Sequence, residues 1–188
     1  MGGRGGSSGM YGSVLPKVSK WGRTGQGGLS NKEAEDALKL AGINQFPEGV
    51  TANIRVSGDK TQIKLNDSER EVIVVKKSSN ELYIDMIHLN TTGTGEGTNI
   101  LNSIRTNAKQ QGITKLIAYA AGDPTEGTYN GYYSLARFGF DAPLPSGKIN
   151  QAKSAGFNVS TVQDLMKTAE GRRWWKNNGI GFAGEMSI

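Results

Sequence analysis

Gly93, Gly95 and Gly97 alternate with Thr94 and Glu96 in one short stretch of the chain. An apolar run, Leu82 to Leu89, leads into that stretch, and Ile100 and Leu101 open an amphipathic segment just after it. This order builds an anion site from backbone alone. The first N–H groups of a helix have no intrahelical acceptor and carry the positive end of the helix dipole. Glycines let a phosphate approach those donors without meeting a Cβ. The expected chemistry is the holding of a phosphorylated ligand, with Leu89, Thr91, Gly93, Gly95, Glu96, Gly97 and Thr98 as the candidate contacts. A carboxylate at a helix start favours the dipole, so capping is the main role expected of Glu96.

Two familiar phosphate loops do not fit. A dinucleotide fingerprint needs G-x-G-x-x-G. Counted from Gly93 its third glycine falls on Thr98, and counted from Gly95 it falls on Ile100. A nucleoside-triphosphate loop needs Gly-Lys-Ser/Thr at its end, and this stretch has no lysine.

Two residues on the strand ahead of the loop can move a proton. Asp85 interrupts an apolar run and needs a partner or water there. His88 is the only histidine, so no second histidine can share a metal with it. Its near-neutral reference pKa suits a base. Three apart on a strand, the two are expected on opposite faces, where they cannot act as a pair.

The elements that must position these residues are readable from periodicity and turn chemistry. Ser30-Asn31-Lys32-Glu33 is a capping box, and a helix is expected through Ala34, Ala37, Leu38 and Ala41 to Gly42. Ala52 to Val56, Ile63 to Leu65, Val72 to Val75 and Leu82 to Leu89 read as strands joined by short polar turns, hence an antiparallel meander. The β-branched run Val72–Val75 suits a strand buried on both faces. A helix through Ile100, Ile104 and Ala108 to Gly112, then a strand Ile113 to Ala120, gives a strand–helix–strand unit that should be parallel and right-handed. Asn130 to Ala136 is a further amphipathic segment, and residues 141–159 read as a loop. One helix is expected from the capping box Ser160-Thr161-Val162-Gln163 to Trp174-Trp175, with Phe182 to Ile188 as a closing strand. Of the adjacent tryptophans one should be core and the other should cover a neighbouring edge, since consecutive helical residues point in different directions.

Composition bounds the function. The 188 residues suit one domain with a real core. Ten of the 27 glycines fall in the first 28 residues, as do Arg4, Lys17, Lys20 and Arg23, which supply +4 of the net charge of +5. Residues 1–29 are therefore expected to be a flexible basic arm, with Val14, Leu15, Val18 and Trp21 able to pin it, and residues 30–188 the folded domain. The charge belongs to the arm, so nucleic acid is an unlikely partner, while a protein partner for the arm is open. The chain has no cysteine, which excludes disulfides, thiolate metal sites and a cysteine nucleophile. With no apolar run of membrane-spanning length and no signal-peptide core, a cytoplasmic protein is expected, with neither a membrane partner nor a metal.

Gly95-Glu96-Gly97-Thr98 followed by Ile100-Leu101 resembles the acetyl-CoA pyrophosphate loop of the GNAT family of N-acetyltransferases. That loop shows Gln/Arg-x-x-Gly-x-Gly/Ala, with Gly95 and Gly97 at the glycine positions and Thr92 standing where the family has Gln or Arg. Gly131-Tyr132-Tyr133-Ser134-Leu135-Ala136-Arg137-Phe138-Gly139-Phe140 sits where the family's last helix ends in Gly-Phe. The resemblance implies an α/β fold with a mixed sheet. In it, an antiparallel meander precedes a β-α-β unit with a splayed strand pair, followed by a C-terminal helix and strand. It implies acetyl-CoA as co-substrate, a primary amine on a small molecule or protein as acceptor, and direct transfer. Tyr133 is then the first candidate for the acid that protonates the thiolate and Tyr132 the second, although the family's tyrosine position falls on Leu135. Asp85 and His88 are the candidates for removing the proton of the amine. Arg137 is expected to reach phosphate or to pair with Asp141. The alternative is a non-catalytic module of the same fold, tethered by its arm in a virion or another large assembly.

Overall fold

Alternating apolar residues make the meander, and the meander makes one sheet. The computed structural model describes residues 18–20, 31–42, 51–57, 60–66, 70–76, 78–90, 94–126 and 129–188. Among these residues seven strands stand in chain order across the sheet: β1 (Val18–Lys20), β2 (Thr51–Ser57), β3 (Lys60–Asn66), β4 (Arg70–Lys76), β5 (Glu81–Leu89), β6 (Lys115–Ala120) and β7 (Phe182–Ser187). The pairs β2–β3, β3–β4, β4–β5 and β6–β7 are antiparallel, while β1–β2 and β5–β6 are parallel. This is the mixed sheet that the GNAT resemblance implies: a meander, a β-α-β unit and a closing antiparallel strand. Val18 and its two neighbours extend it at the first edge, so part of the arm joins the sheet. Val14, Leu15 and Trp21 lie outside the described residues.

The register puts the buried strand residues on one face. Ile54, Ile63, Val74, Ile84 and Ala118 follow one another across the sheet, as do Leu82, Leu116 and Met186. The other face is wetter. Ile73 and Val75 are only half-buried, so the β-branched run of β4 is not covered on both sides as its composition predicts. Tyr119 on that face is 67% exposed.

Helix α1 (Asn31–Leu40) packs on β2, β3 and α2 (Glu96–Gln110). Its end is seated closely on α2. Gly42 takes φ +79°, and a Cβ there would lie 2.8 Å from both Ile100 O and Ile104 Cγ1. Asn107 Nδ2 on α2 donates to Lys39 O at 2.7 Å, tying the same two helices. Leu38, Ile63, Leu82, Ile104 and Leu116 are fully buried in the shared core. Each such side chain contributes about 1.5–3 kcal/mol of hydrophobic stabilisation.

The C-terminal third departs from expectation in two places. Residues 141–159 contain a helix, α4 (Ser146–Ser154), which buries only Ala152 and so leaves almost no hydrophobic periodicity to read. The single helix expected from Ser160 onward is two, α5 (Val162–Met166) and α6 (Ala169–Asn178). Thr168 breaks it by accepting from Gly171 N at 2.9 Å and capping a new helix. The capping box of α5 pairs Thr161 with Asp164, one residue later than the expected Ser160 and Gln163. α3 (Gly131–Phe138) packs on β6 and α5.

Candidate functional site

The site begins where β5 and β6 part. They pair in parallel from Glu81 with Lys115 to Ile84 with Ala118. Beyond that β5 continues to Leu89 bonded to β4, and β6 continues to Ala120 bonded to β7. Between them the facing edges of Asp85–Leu89 and Tyr119–Ala120 have no strand neighbour among the described residues. Backbone N–H and C=O groups on such an edge can receive an extended ligand.

The parting coincides with a bulge. Ile73 pairs with Met86 and Val74 with Ile84, so Asp85 is one residue extra on β5. The extra residue bends the strand and re-aims the side chains beyond it. It also shifts the side-chain parity: before it Leu82 and Ile84 share the buried face, and after it Ile87 pairs with Val72 on that face. The expectation that Asp85 and His88 point to opposite faces rested on an unbroken strand, and the bulge removes its basis. Both are exposed.

β5 ends at Leu89 and α2 starts at Glu96. Thr91, Thr92 and Gly93 lie outside the described residues. Gly95 is the N-cap of α2 in the left-handed region at φ +79°, where L side chains are disfavoured. The first intrahelical bond runs from Asn99 N to Gly95 O at 3.1 Å, so the N–H groups of Gly97 and Thr98 precede the ladder. Thr94 Oγ1 accepts from Glu96 N at 3.4 Å. A Cβ on Gly95 would meet nothing within 4 Å, so this side of the turn is open. On Gly97 it would lie 3.4 Å from Leu89 Cδ1, which brings the end of β5 against the helix start. Glu96 is the acid of the first turn, at the positive end of the helix dipole. Backbone donors of this kind can hold an anionic group such as a phosphate.

On the other side of the gap, α3 carries the two tyrosines. Tyr132 is 5% exposed, and its hydroxyl donates to Lys176 O at 2.7 Å. Burial, and then the Asp123 carboxylate, push its pKa up. It is an anchor for α6 and keeps its proton. Tyr133 is half-buried, and its ring lies 5.9 Å from both Arg137 Cζ and Lys176 Nζ. Arg137 therefore stacks on Tyr133, and Asp141 Oδ1 instead accepts from Ala142 N and Gln163 N, each at 2.9 Å. Asp85 and His88 sit on the β5 side of the gap and Tyr133 on the helix that packs against β6.

Trp175 is the core tryptophan, fully buried, while Trp174 is half-buried against Phe157, as expected for adjacent helical residues. The Asp123 turn after β6 escaped the sequence reading. Its signal was Asp-Pro-Thr, an aspartate able to bond its own backbone two residues on. Among the described residues no group of three or more acidic, histidine or cysteine side chains could hold a metal. None of the described helices is long and apolar enough to cross a membrane.

No protein-family model matches the chain, and no curated protein matches it in sequence. Among solved structures, the chain is similar to Ard1 from Thermoplasma volcanium at 10% identity and a TM-score of 0.38, over 68% of this chain and 70% of that one. A GNAT family acetyltransferase from Elizabethkingia anophelis with acetyl-CoA bound matches at 10% identity and a TM-score of 0.40, over 76% of this chain and 100% of its own. Arabidopsis thaliana Naa50 in complex with the bisubstrate analogue CoA-Ac-MVNAL matches at 18% identity and a TM-score of 0.32, over 63% and 83%. At such scores these likenesses decide nothing about activity, and the mixed sheet with its diverging parallel pair stands on the strand register itself.

Proposed function

We propose that this protein transfers an acetyl group from acetyl-CoA to a primary amine, on a small molecule or on a protein. The observation that carries the reading is the parting of β5 and β6 after Ile84 and Ala118, at the end of the sheet where α2 begins. The unpaired edge of Asp85–Leu89 suits an amide-bearing arm that lies along it as an added strand. Gly97 and Thr98 offer their N–H groups to the pyrophosphate, with Gly95 keeping the turn free of side chains. Leu89, beside Gly97, closes the apolar side. Glu96 serves the helix as its N-terminal acid.

Bound acetyl-CoA supplies an activated acyl carbonyl, and the protein's residues position and move protons around it. Asp85 or His88 takes the proton of the ammonium acceptor, directly or through water, so that a neutral amine attacks. A backbone N–H on the open edge of β5 donates to the carbonyl oxygen as it gains charge. Tyr133 gives its proton to the departing sulfur, because Tyr132 is committed to Lys176. Calorimetric titration with acetyl-CoA tests this. The expected dissociation constant lies between about 1 μM and 1 mM, the usual range for enzyme substrates, and no heat at millimolar ligand would sink the reading.

A second reading keeps the fold without the chemistry: a module tethered by its arm in a virion or other large assembly. The exposure of both Asp85 and His88 favours it, because catalytic groups are usually tuned by burial. Acetyl-CoA binding without turnover over a panel of amines and peptide N-termini selects this reading.

A further inference from the structure

The turn after β6, helix α4 and the last turns of α6 line a shallow, open cleft of about 720 Å³. Its size falls within the range of about 300–1,000 Å³ typical of small-molecule sites. It shares no lining residue with β5 or the start of α2, so it is a different place from the acyl-transfer gap.

The two charged side chains of this cleft already hold hydrogen bonds within the fold. Asp123 is its only carboxylate and Lys148 its only cation among the described residues. Asp123 Oδ1 accepts from Thr125 N at 2.7 Å, Thr125 Oγ1 at 2.6 Å and Glu126 N at 3.2 Å. Lys148 Nζ donates to Asn178 O at 2.6 Å and stands near enough to Asp123 to attract it. The negative end of α6 is equally engaged. Trp174 O accepts from Asn178 Nδ2, Trp175 O from Gly179 N, and Lys176 O from the Tyr132 hydroxyl. A cationic ligand would find one carboxylate, with Oδ1 already accepting three hydrogen bonds, and a helix end whose carbonyls at Trp174, Trp175 and Lys176 already accept. An anionic ligand would find one ammonium, already donating to Asn178 O and within the field of the Asp123 carboxylate.

What remains are neutral polar groups. The side chains of Asn150, Gln151 and Asn177 are exposed at the cleft wall. Each amide offers an acceptor and two donors, a match for neighbouring hydroxyls that both donate and accept. Trp174 adds an apolar indole, held against Phe157 with ring centroids 6.0 Å apart at 54°. Peptides, by contrast, are usually taken along strand edges or helix grooves, whereas these walls are helix faces and a turn.

We propose that the cleft between α4 and the end of α6 binds a neutral, hydroxyl-rich ligand, a short saccharide. The amides of Asn150, Gln151 and Asn177 take its hydroxyls, and the C–H face of a sugar ring lies on Trp174. This site stands whether or not the protein transfers acetyl groups.

The test is NMR of the tryptophan indole N–H signals in the full chain, with the Trp174 signal assigned from Trp174→Phe. Chitotriose, maltotriose, spermidine, inorganic phosphate and trialanine are titrated separately, each to about 10 mM, where millimolar affinities register. A neutral trisaccharide is expected to move the Trp174 signal to saturation and leave the buried Trp175 signal in place. Gln151→Ala and Asn177→Ala, both at exposed positions, should keep the same melting curve and weaken that binding by about tenfold, the loss of a hydrogen bond or two. Saturable binding of spermidine, phosphate or trialanine in place of both trisaccharides overturns the proposal. So does the absence of any shift, or binding that both alanine variants leave unchanged.

Discussion

Trp175 donates its indole N–H to the backbone carbonyl of Tyr132 at 3.0 Å, across 43 residues of sequence. Tyr132 reaches back, its hydroxyl donating to the carbonyl of Lys176 at 2.7 Å. The pair locks α3 to α6. Tyr132→Phe should cost about 1 kcal/mol, the net worth of one hydrogen bond. Trp175→Ala should cost about 3–5 kcal/mol, because it also empties a fully buried site. Urea midpoints at constant slope measure both, and the reverse order would contradict the lock.

Gly95→Ala isolates backbone strain from steric clash. The residue sits at φ +79° with open space where a Cβ would go. The left-handed conformation alone should cost about 1–2 kcal/mol. If the turn holds pyrophosphate, acetyl-CoA affinity should fall by about tenfold as the N–H groups rotate away, an equivalent of about 1.4 kcal/mol. Lost stability with unchanged affinity would place the ligand elsewhere.

Tyr133→Phe should lower turnover by about 10²–10⁴-fold, the span of general acid contributions. Acetyl-CoA affinity should stay the same, since the lost hydroxyl acts only as sulfur departs. Stopped assays of thiol release across pH measure the first and calorimetry the second. A matched fall from Tyr132→Phe with Tyr133→Phe unaffected would reassign the acid.

Asp164 gives the domain an acid-sensitive joint. The Lys167 ammonium first, then the N–H groups of Ser160 and Thr161, hold its carboxyl well below its ordinary value of 3.8. An unfolded chain takes up this proton at higher pH than the folded one. The resulting stability is therefore complete above about pH 5, starts to go as pH falls through 3.8, and is lost at the lower folded value. The stability gap between the wild type and Asp164→Asn should stay level down to about pH 5 and shrink from there toward about pH 2. A gap that stays constant would show that the capping box does not depend on charge.

Deleting residues 1–20 removes β1 and bares β2 along Ala52–Ile54. Open strand edges pair with other copies. Light scattering should show concentration-dependent association of the shortened chain, while acetyl-CoA affinity, set at the far side of the meander, stays the same. A strictly monomeric product would mean that this edge is protected by something other than β1.

The meander and α2 were legible because turns and periodicity agreed there. Gly42 and Gly112 stop helices where expected, both with positive φ. The break at Thr168 was hidden because Val162, Leu165, Met166 and Ala169 keep helical spacing across it, and only the Thr168 cap betrays two helices. Helix α4 was hidden for the opposite reason, having one buried residue and no stripe. The bulge at Asp85 was invisible because register is a property of two strands: the sequence of β5 alone does not say which residue goes unpaired. That is also why an argument from strand alternation does not assign the faces of Asp85 and His88.

The divided pairing of β5 gives this molecule two exchange regimes in one strand. Amides up to Ile84 are fenced on both sides, and those past Asp85 only by β4. Deuterium should enter the second half through local breathing and the first half only through wider opening. The boundary is fixed within one residue, at the bulge. Any occupant of the gap should move that boundary toward Leu89, so occupancy can be read as a length along the strand without measuring a reaction.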